Sequence, residues 1–346
     1  MTRPTAPGRT RRRPSERPDA HHPAEDPPAW TGKGIEADGA GPSDASRDAS
    51  RLRTLAAALP RTPGVYLFHA DSETRALPLY IGKSVDLRAR VLSHLRDPAE
   101  QHWVQRTEAI TWIETPGEVG ALLLEARLIK ERQPLFNQRL RRSRALWAWQ
   151  VDEAGRPELV HSRAMDFASG ERLFGLHASP HAAREHLVAL AQAHQLCLQQ
   201  LGLEAASGPG RPCFARQLRR CQGACCGDET AAAHARRLLD ALADQQIRRW
   251  PWPGAVALIE GRGRGARAVH VVLHWCHLGT VADLRAARQL ARKGRVAADF
   301  DADGYKILVR PLLQPGPGQR LVALEDVPGD APNPALPVAP PAPEQD

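Results

Sequence analysis

Two short apolar runs, "GVYLFHA" over 64–70 and "LPLYIG" over 77–82, flank the polar stretch "DSETRA". β-Branched and aromatic residues in runs of this length, split by so short a polar loop, admit little besides an antiparallel hairpin. The chain then continues "KSVDLRARVLSHL", where Ser84 or Asp86 can cap a helix and Leu87, Val91, Leu92 and Leu95 recur at helical spacing. A hairpin feeding a helix explains the glycines and the apolar positions. It does not explain Tyr66, Tyr80, Lys83, Arg88, Arg90 and His94, which this junction gathers in one place. Arg90 and His94 lie at i and i+4 and share a helix face.

Downstream, "AITWIET" (109–115) reads as a third strand and "GEVGALLLEARLIKERQ" (117–133) as a helix stopped by Pro134. Glu125 falls among leucines of that helix, where an acid needs a cation, an exposed face, or a partner such as Lys130 or Arg132. Hydrolysis of a phosphodiester calls for a base for water, positive charge for the developing phosphorane, and neutralisation of the leaving alkoxide. Phenols, guanidinium, imidazole and carboxylate supply these roles together. Each residue alone has a plain structural reading: the tyrosines as strand packing, Lys83 and Arg88 as solvated charges at a helix start.

Charge narrows the class of partner. The chain carries a formal +8, yet residues 1–50 are neutral and 314–346 carry −4, which leaves +12 on 51–313. A basic body between neutral and acidic ends points to a polyanion, nucleic acid before a membrane surface, with a merely solvated basic surface as the alternative. No apolar run approaches the ~18 residues of a membrane span. The basic N-terminus lacks the apolar segment of a secretory signal, so a cytoplasmic location is expected. In that reducing setting, clustered cysteines bind metal or do chemistry more readily than they pair.

The ordered set "GVY" at 64–66, "YIG" at 80–82, Arg90, Glu125 and Asn137 resembles the GIY-YIG nucleases. The blocks "LPRTPGVYLF", "YIGKSVDLRARV", "ALLLEARLIK" and "QPLFN" resemble its UvrC branch in particular. That resemblance implies Tyr80 as general base with help from Lys83, Arg90 on the scissile phosphate, and Tyr66 and His94 orienting water and phosphate. It further implies Glu125 as ligand of one Mg²⁺ or Mn²⁺ and Asn137 as a brace. Arg88, with Arg141 and Arg142 of the basic connector "RLRRSR", is a candidate DNA contact. The resemblance extends through "RLFGLHASPHAAREHL", "CQGACCG" and "RRWPWPGAVAL". The chain from 227 to 313 is too short for the helical pair, second nuclease and hairpin elements of a long UvrC. The resemblance implies incision 3′ to lesions in double-stranded DNA already bound by UvrB. A stand-alone endonuclease on another DNA structure and a non-catalytic DNA-binding module are the alternatives.

Cys197, Cys213, Cys221 and Cys225 are separated by fifteen, seven and three residues, unlike the paired spacing of a zinc ribbon. The same positions resemble the UvrC cysteine block, which implies a [4Fe–4S] cluster; a zinc site or reduced buried cysteines are the other readings. Cys226 is extra, and Cys276 reads as core.

The expected architecture is therefore α+β. A small antiparallel sheet flanked by helices (55–140) precedes a cysteine-rich α/β region (145–250) and a small C-terminal α/β unit (251–313). Strand-like pieces are "WAWQVDE" and "RLFGLHA", helices 181–197, 230–250 and 283–292, and late strands 255–259, 269–275 and 305–311. In the last, "DFDADG" is a turn before the strand "YKILV". Residues 1–50 and 314–346, rich in Pro, Gly and Ala, read as disordered tails.

Overall fold

The computed structural model describes residues 33–35, 45–71, 78–137, 146–208, 210–261, 265–294 and 300–324. Its first unit runs β1 (Lys33–Ile35), α1 (Ala45–Ala58), β2 (Gly64–His69), β3 (Pro78–Ser84), α2 (Leu87–His94), α3 (Gln101–Val104), β4 (Ala109–Glu114) and α4 (Glu118–Arg132). The strands form one antiparallel sheet in the order β1-β4-β2-β3, so β3 is an edge. Alternation along the strands sends Tyr66 and Phe68 to one face, against Leu52, Leu59, Leu87, Val91 and Trp103. Val65, Leu67 and Ile81 go to the other, against Ala121, Leu124, Leu128 and Ile129 of α4. Covered on both faces, β2 is buried along its whole length, which is why it reads as a continuous apolar run. Asp86 caps α2, its carboxylate accepting from the Ala89 N–H at 2.9 Å.

The second unit holds β5 (Trp147–Val151), β6 (Pro157–His161) and β7 (Leu173–His177) in the order β6-β5-β7, with α5 (Pro180–Ala193), α6 (Phe214–Gln217) and α7 (Ala231–Leu242). The third holds β8 (Val256–Gly261), β9 (Arg267–Leu273), β10 (Cys276–Val281), α8 (Leu284–Gly294), α9 (Ala302–Leu313) and β11 (Gln319–Ala323), with sheet order β10-β9-β8-β11. The three units share a core. Val119 and Leu123 of α4, Ala148 and Leu173 of the second unit, and Val256, Leu258, Trp275, Leu308 and Leu312 of the third belong to one buried cluster. Burying this apolar area between units opposes their separation.

Several expectations are corrected. "YKILV" is not a strand but part of α9: Asp301 caps it, accepting from the N–H groups of Asp303 and Gly304. Tyr305, Leu308 and Leu312 then bury at helical spacing, so cap and period override the β-rich composition. The expected tail from 314 contains β11, which pairs antiparallel with β8 and covers its edge. The expected tail 1–50 contains β1, paired with β4, and the start of α1. The helix foreseen over 181–197 ends at Ala193, with Gln195 at φ 52 turning the chain. That over 230–250 ends at Leu242 and a short 3-10 turn. β10 was not anticipated, because its hairpin turns through His274 and Trp275 at positive φ with no glycine to mark it. Residues 1–32, 36–44 and 325–346 of the two tails lie outside the described residues, as do Arg141 and Arg142.

Candidate active site and cysteine centre

The hairpin register pairs Tyr66 with Gly82 and Phe68 with Tyr80, which puts both tyrosines on one face of neighbouring strands. Gly82 is required by space. A Cβ there would lie 2.3 Å from the Tyr66 hydroxyl, so the phenol rests directly over the glycine. Beyond it stands His94 at the end of α2, 1% exposed, its Nε2 2.6 Å from the Tyr66 hydroxyl. His94 Nδ1 meets the Glu100 carboxylate. A carboxylate only accepts, so Nδ1 carries the proton and Nε2 accepts from the Tyr66 O–H. The Arg90 guanidinium lies close enough to Tyr66 and Tyr80 that its charge opposes the burial of each phenol. The donors run one way: Tyr66 to His94, His94 to Glu100. Burial holds His94 below its ordinary range against the opposing pull of Glu100, and burial followed by the charge of Tyr80 pushes Tyr66 well up.

Tyr80, half-buried, stacks on Trp103 with centroids 5.0 Å apart and 12° between planes. Burial first, then the Glu125 charge, push its phenol up, with Arg90 opposing. As an edge strand, β3 turns the backbone groups of Ile81 and Lys83 outward, and side chains satisfy them. Asn137 Oδ1 accepts from the Ile81 N–H and its Nδ2 donates to the Ile81 carbonyl, both at 2.8 Å. Glu125 Oε1 accepts from the Lys83 N–H at 3.1 Å. Burial raises the Glu125 carboxyl to about 7, opposed by the Lys83 charge, the Lys83 N–H and Arg90. Among the described residues Glu125 Oε2 accepts no hydrogen bond. A half-buried carboxylate with one oxygen free fits a hard divalent cation that keeps most of its waters.

Two expected residues are placed differently. Lys83 points its ammonium at Glu118, 2.7 Å away, not at Tyr80. Arg88 Nε donates to the Leu59 carbonyl at 2.6 Å and ties α2 to the end of α1. Glu125 does not pair with Lys130, which reaches Asp301 and Asp303 at the start of α9. Sequence reading missed Glu100 and Trp103. The Asp97–Pro98 start of a turn was visible there, with Asp97 accepting from the Ala99 N–H, but nothing local shows that this turn faces His94.

In the second unit Cys197, Cys213, Cys221 and Cys225 bring their sulfurs within 4.8 Å of one another. The first three are buried and the fourth half-buried. Backbone N–H groups of Arg216, Gly223 and Cys213 point at the sulfurs of Cys213, Cys221 and Cys225, each at 3.3 Å, as suits thiolate acceptors. Burial pushes the Cys197 and Cys221 thiols up, so a cation is what would let all four ionise together. His234 fixes Cys197 by accepting its N–H at 2.9 Å. Cys226 bonds Asp228 and Gly223 instead, and Cys276 is buried in β10. The donor set fits a thiolate-bound metal centre.

Three family models match the chain in sequence: the UvrC-like GIY-YIG domain over 62–138, the UvrC/Cho excinuclease middle domain over 146–244, and the Excinuclease Cho C-terminal domain over 255–328. Excinuclease cho of Escherichia coli K12 is 50% identical over 262 residues, 76% of this chain and 86% of that protein. The protein of that name from Salmonella typhimurium is 50% identical over 76% of this chain and 87% of its own. UvrABC system protein C of Haloarcula marismortui is 34% identical over 191 residues, 54% of this chain and 32% of the relative. The solved GIY-YIG N-terminal endonuclease domain of UvrC from Thermotoga maritima, bound to magnesium as its catalytic divalent cation, is 31% identical. It covers 25% of this chain and 96% of that one at a TM-score of 0.23. With its nuclease, middle and C-terminal domains all matched in order, the chain belongs to the Cho excinucleases, UvrC-related endonucleases of the GIY-YIG type.

Proposed function

We propose that this endonuclease makes the incision 3′ to lesions in double-stranded DNA held by UvrB, by metal-assisted hydrolysis of one phosphodiester. The observation that carries the chemistry is the convergence of Tyr66, Tyr80, Arg90, His94 and Glu125 at the β3 edge. Arg90, exposed on α2, binds the scissile phosphate through its planar fork. Tyr80 is the general base for the attacking water. Tyr66, locked by His94 and Glu100, orients the phosphate. Asn137 keeps the β3 edge straight, and Lys83 acts on Glu125 through its N–H and its charge. A Mg²⁺ or Mn²⁺ held by Glu125 would add positive charge for the phosphorane and offset the carboxylate's hold on the Tyr80 proton. One water adds across the P–O bond that breaks: the Tyr80 phenol gives its own proton to solvent and takes one from the attacking water, whose oxygen bonds to phosphorus, and the leaving oxygen departs with a proton from solvent.

The partner and the side of the cut are tested together. A lesion-bearing duplex, labelled at one end, is incubated with the protein with and without UvrB. Incision on the 3′ side that requires UvrB supports the reading; equal cutting without UvrB replaces it with a stand-alone nuclease.

For the cysteines we propose a [4Fe–4S] cluster held by Cys197, Cys213, Cys221 and Cys225. Four clustered thiols, three buried and one half-buried, with backbone N–H donors aimed at the sulfurs of Cys213, Cys221 and Cys225, support it. The compact sulfur spacing favours the second reading, a single Zn²⁺, whose ~2.3 Å bonds set tetrahedral sulfurs roughly 3.8 Å apart. Anaerobic protein with four irons per chain and a broad visible absorption answers for the cluster, and colourless protein with one zinc for the ion. In either case Cys221→Ser should release the metal, whereas Cys276→Ser should retain it. Metal retained in full by Cys221→Ser would remove this set as the ligand.

A further inference from the structure

α4 carries Glu125, yet its own sequence begins it poorly. The N-cap is Gly117, which has no side chain to satisfy the free N–H groups of the first turn. The acceptor comes from 140 residues along the chain. Glu260 Oε1 accepts from the Val119 N–H at 3.0 Å and Oε2 from the Gly120 N–H at 2.9 Å. These are the second and third residues of the helix, the donors that an N-cap side chain ordinarily takes. A Cβ built on Gly117 would lie 2.2 Å from Glu260 Cδ and 2.3 Å from its Oε1. The carboxylate therefore fills the volume where a local cap would stand. Gly117 has φ −163, open to any residue, so space and not backbone conformation calls for glycine there.

Glu260 is built to stay. It lies in β8 of the C-terminal unit, 5% exposed, with His270 Nε2 at 3.4 Å and His270 Nδ1 2.9 Å from the Thr280 hydroxyl. Its negative charge also suits the positive end of the helix. At the far end of α4, Lys130 is held by Asp301 and Asp303 of α9, at 3.0 and 3.2 Å. Both ends of the helix that presents Glu125 to β3 are thus fixed by the Cho C-terminal unit.

We propose that Glu260 is a positioning residue of the nuclease, a cap supplied by the C-terminal unit that sets α4, and with it Glu125, against the β3 edge. The inference rests on the endonuclease reading of the site. Its test is a cycle in the full chain. Glu260→Ala should lower kcat by roughly ten- to a hundredfold, the scale of an ångström-sized misplacement, with KM for DNA within about twofold. It should also speed amide hydrogen exchange over 118–121. Gly117→Asp alone should be slow too, since its side chain meets Glu260. Gly117→Asp with Glu260→Ala should restore both kcat and protection, because the cap is then local. Glu260→Gln, which keeps shape and one acceptor oxygen, should fold and fall between. Rates are taken per folded molecule from the thermal transition, so misfolding does not imitate the result. Full kcat in Glu260→Ala, or a double variant no faster than Glu260→Ala, overturns the proposal. Failure of the underlying reading looks different: Glu125→Gln would cut normally while exchange at 118–121 still responded to Glu260.

Discussion

Glu125→Gln is expected to reduce incision by about a thousandfold or more, with the fold and DNA binding kept. The amide retains the oxygen that accepts the Lys83 N–H, so α4 and β3 stay joined. What goes is the negative charge. A metal ion supplies several kcal/mol of transition-state stabilisation, and each ~1.36 kcal/mol is tenfold in rate. Burial already works against the ionised carboxylate, raising it to about 7, so a neutral amide should leave the thermal midpoint unchanged or slightly higher. Single-turnover incision over a Mg²⁺ series, with binding to the same duplex, separates the effects. Chelation should bring the wild-type protein down to the variant's rate and leave the variant where it is. A variant that cuts at the wild-type rate would remove Glu125 from the site.

The parts of the site that sequence makes legible are those whose meaning is local. Tyr66, Tyr80, Arg90 and His94 fall on a hairpin and its following helix, whose period and cap fix their faces before any tertiary contact is known. Gly82 is legible as a strand glycine, though its cause, the Tyr66 phenol, appears only in the register. Partners across the chain are not legible. Glu100 reads as one acid in a polar turn until the fold brings it to His94, and Trp103 reads as core until it stacks on Tyr80. The resemblance puts the Lys83 ammonium at Tyr80; strand alternation and Glu118 on α4 turn it to the other face.

The C-terminal unit shows the same limit in the fold. Strands β8 and β9 read as short, near-continuous apolar runs and helix α8 has a helical period, whereas β11 lies in a Pro- and Gly-rich stretch and gains its structure from pairing with β8. Composition predicts disorder there, and a partner edge overrides it. α9 is the converse case. Its β-branched run suggested a strand, but the Asp301 cap, and burial of Tyr305, Leu308 and Leu312 on the core shared with α4, decide for helix. The bonds that tie this late unit to α4, from Glu260, Asp301 and Asp303, span more than a hundred residues and leave no mark in any local window of sequence.

Arg90→Ala should slow incision by on the order of a hundred- to a thousandfold, the cost of removing one preorganised donor to a charge that develops in the transition state. The side chain is exposed on the second turn of α2, beside the phenols of Tyr66 and Tyr80 that its charge acts on. Removing it exposes no apolar core, so stability should hardly change. Binding should fall little, because affinity for DNA is spread over many phosphate contacts of a body carrying +12, and one contact is a small part of that sum. Arg90→Lys keeps the charge but not the planar two-pronged fork, and should recover only part of the rate. The decisive comparison is between rate and affinity on one substrate at one salt concentration. Incision lost with affinity kept places Arg90 at the transition state; incision and affinity lost in equal measure would make it a binding contact, and the developing charge would then need another donor at the β3 edge.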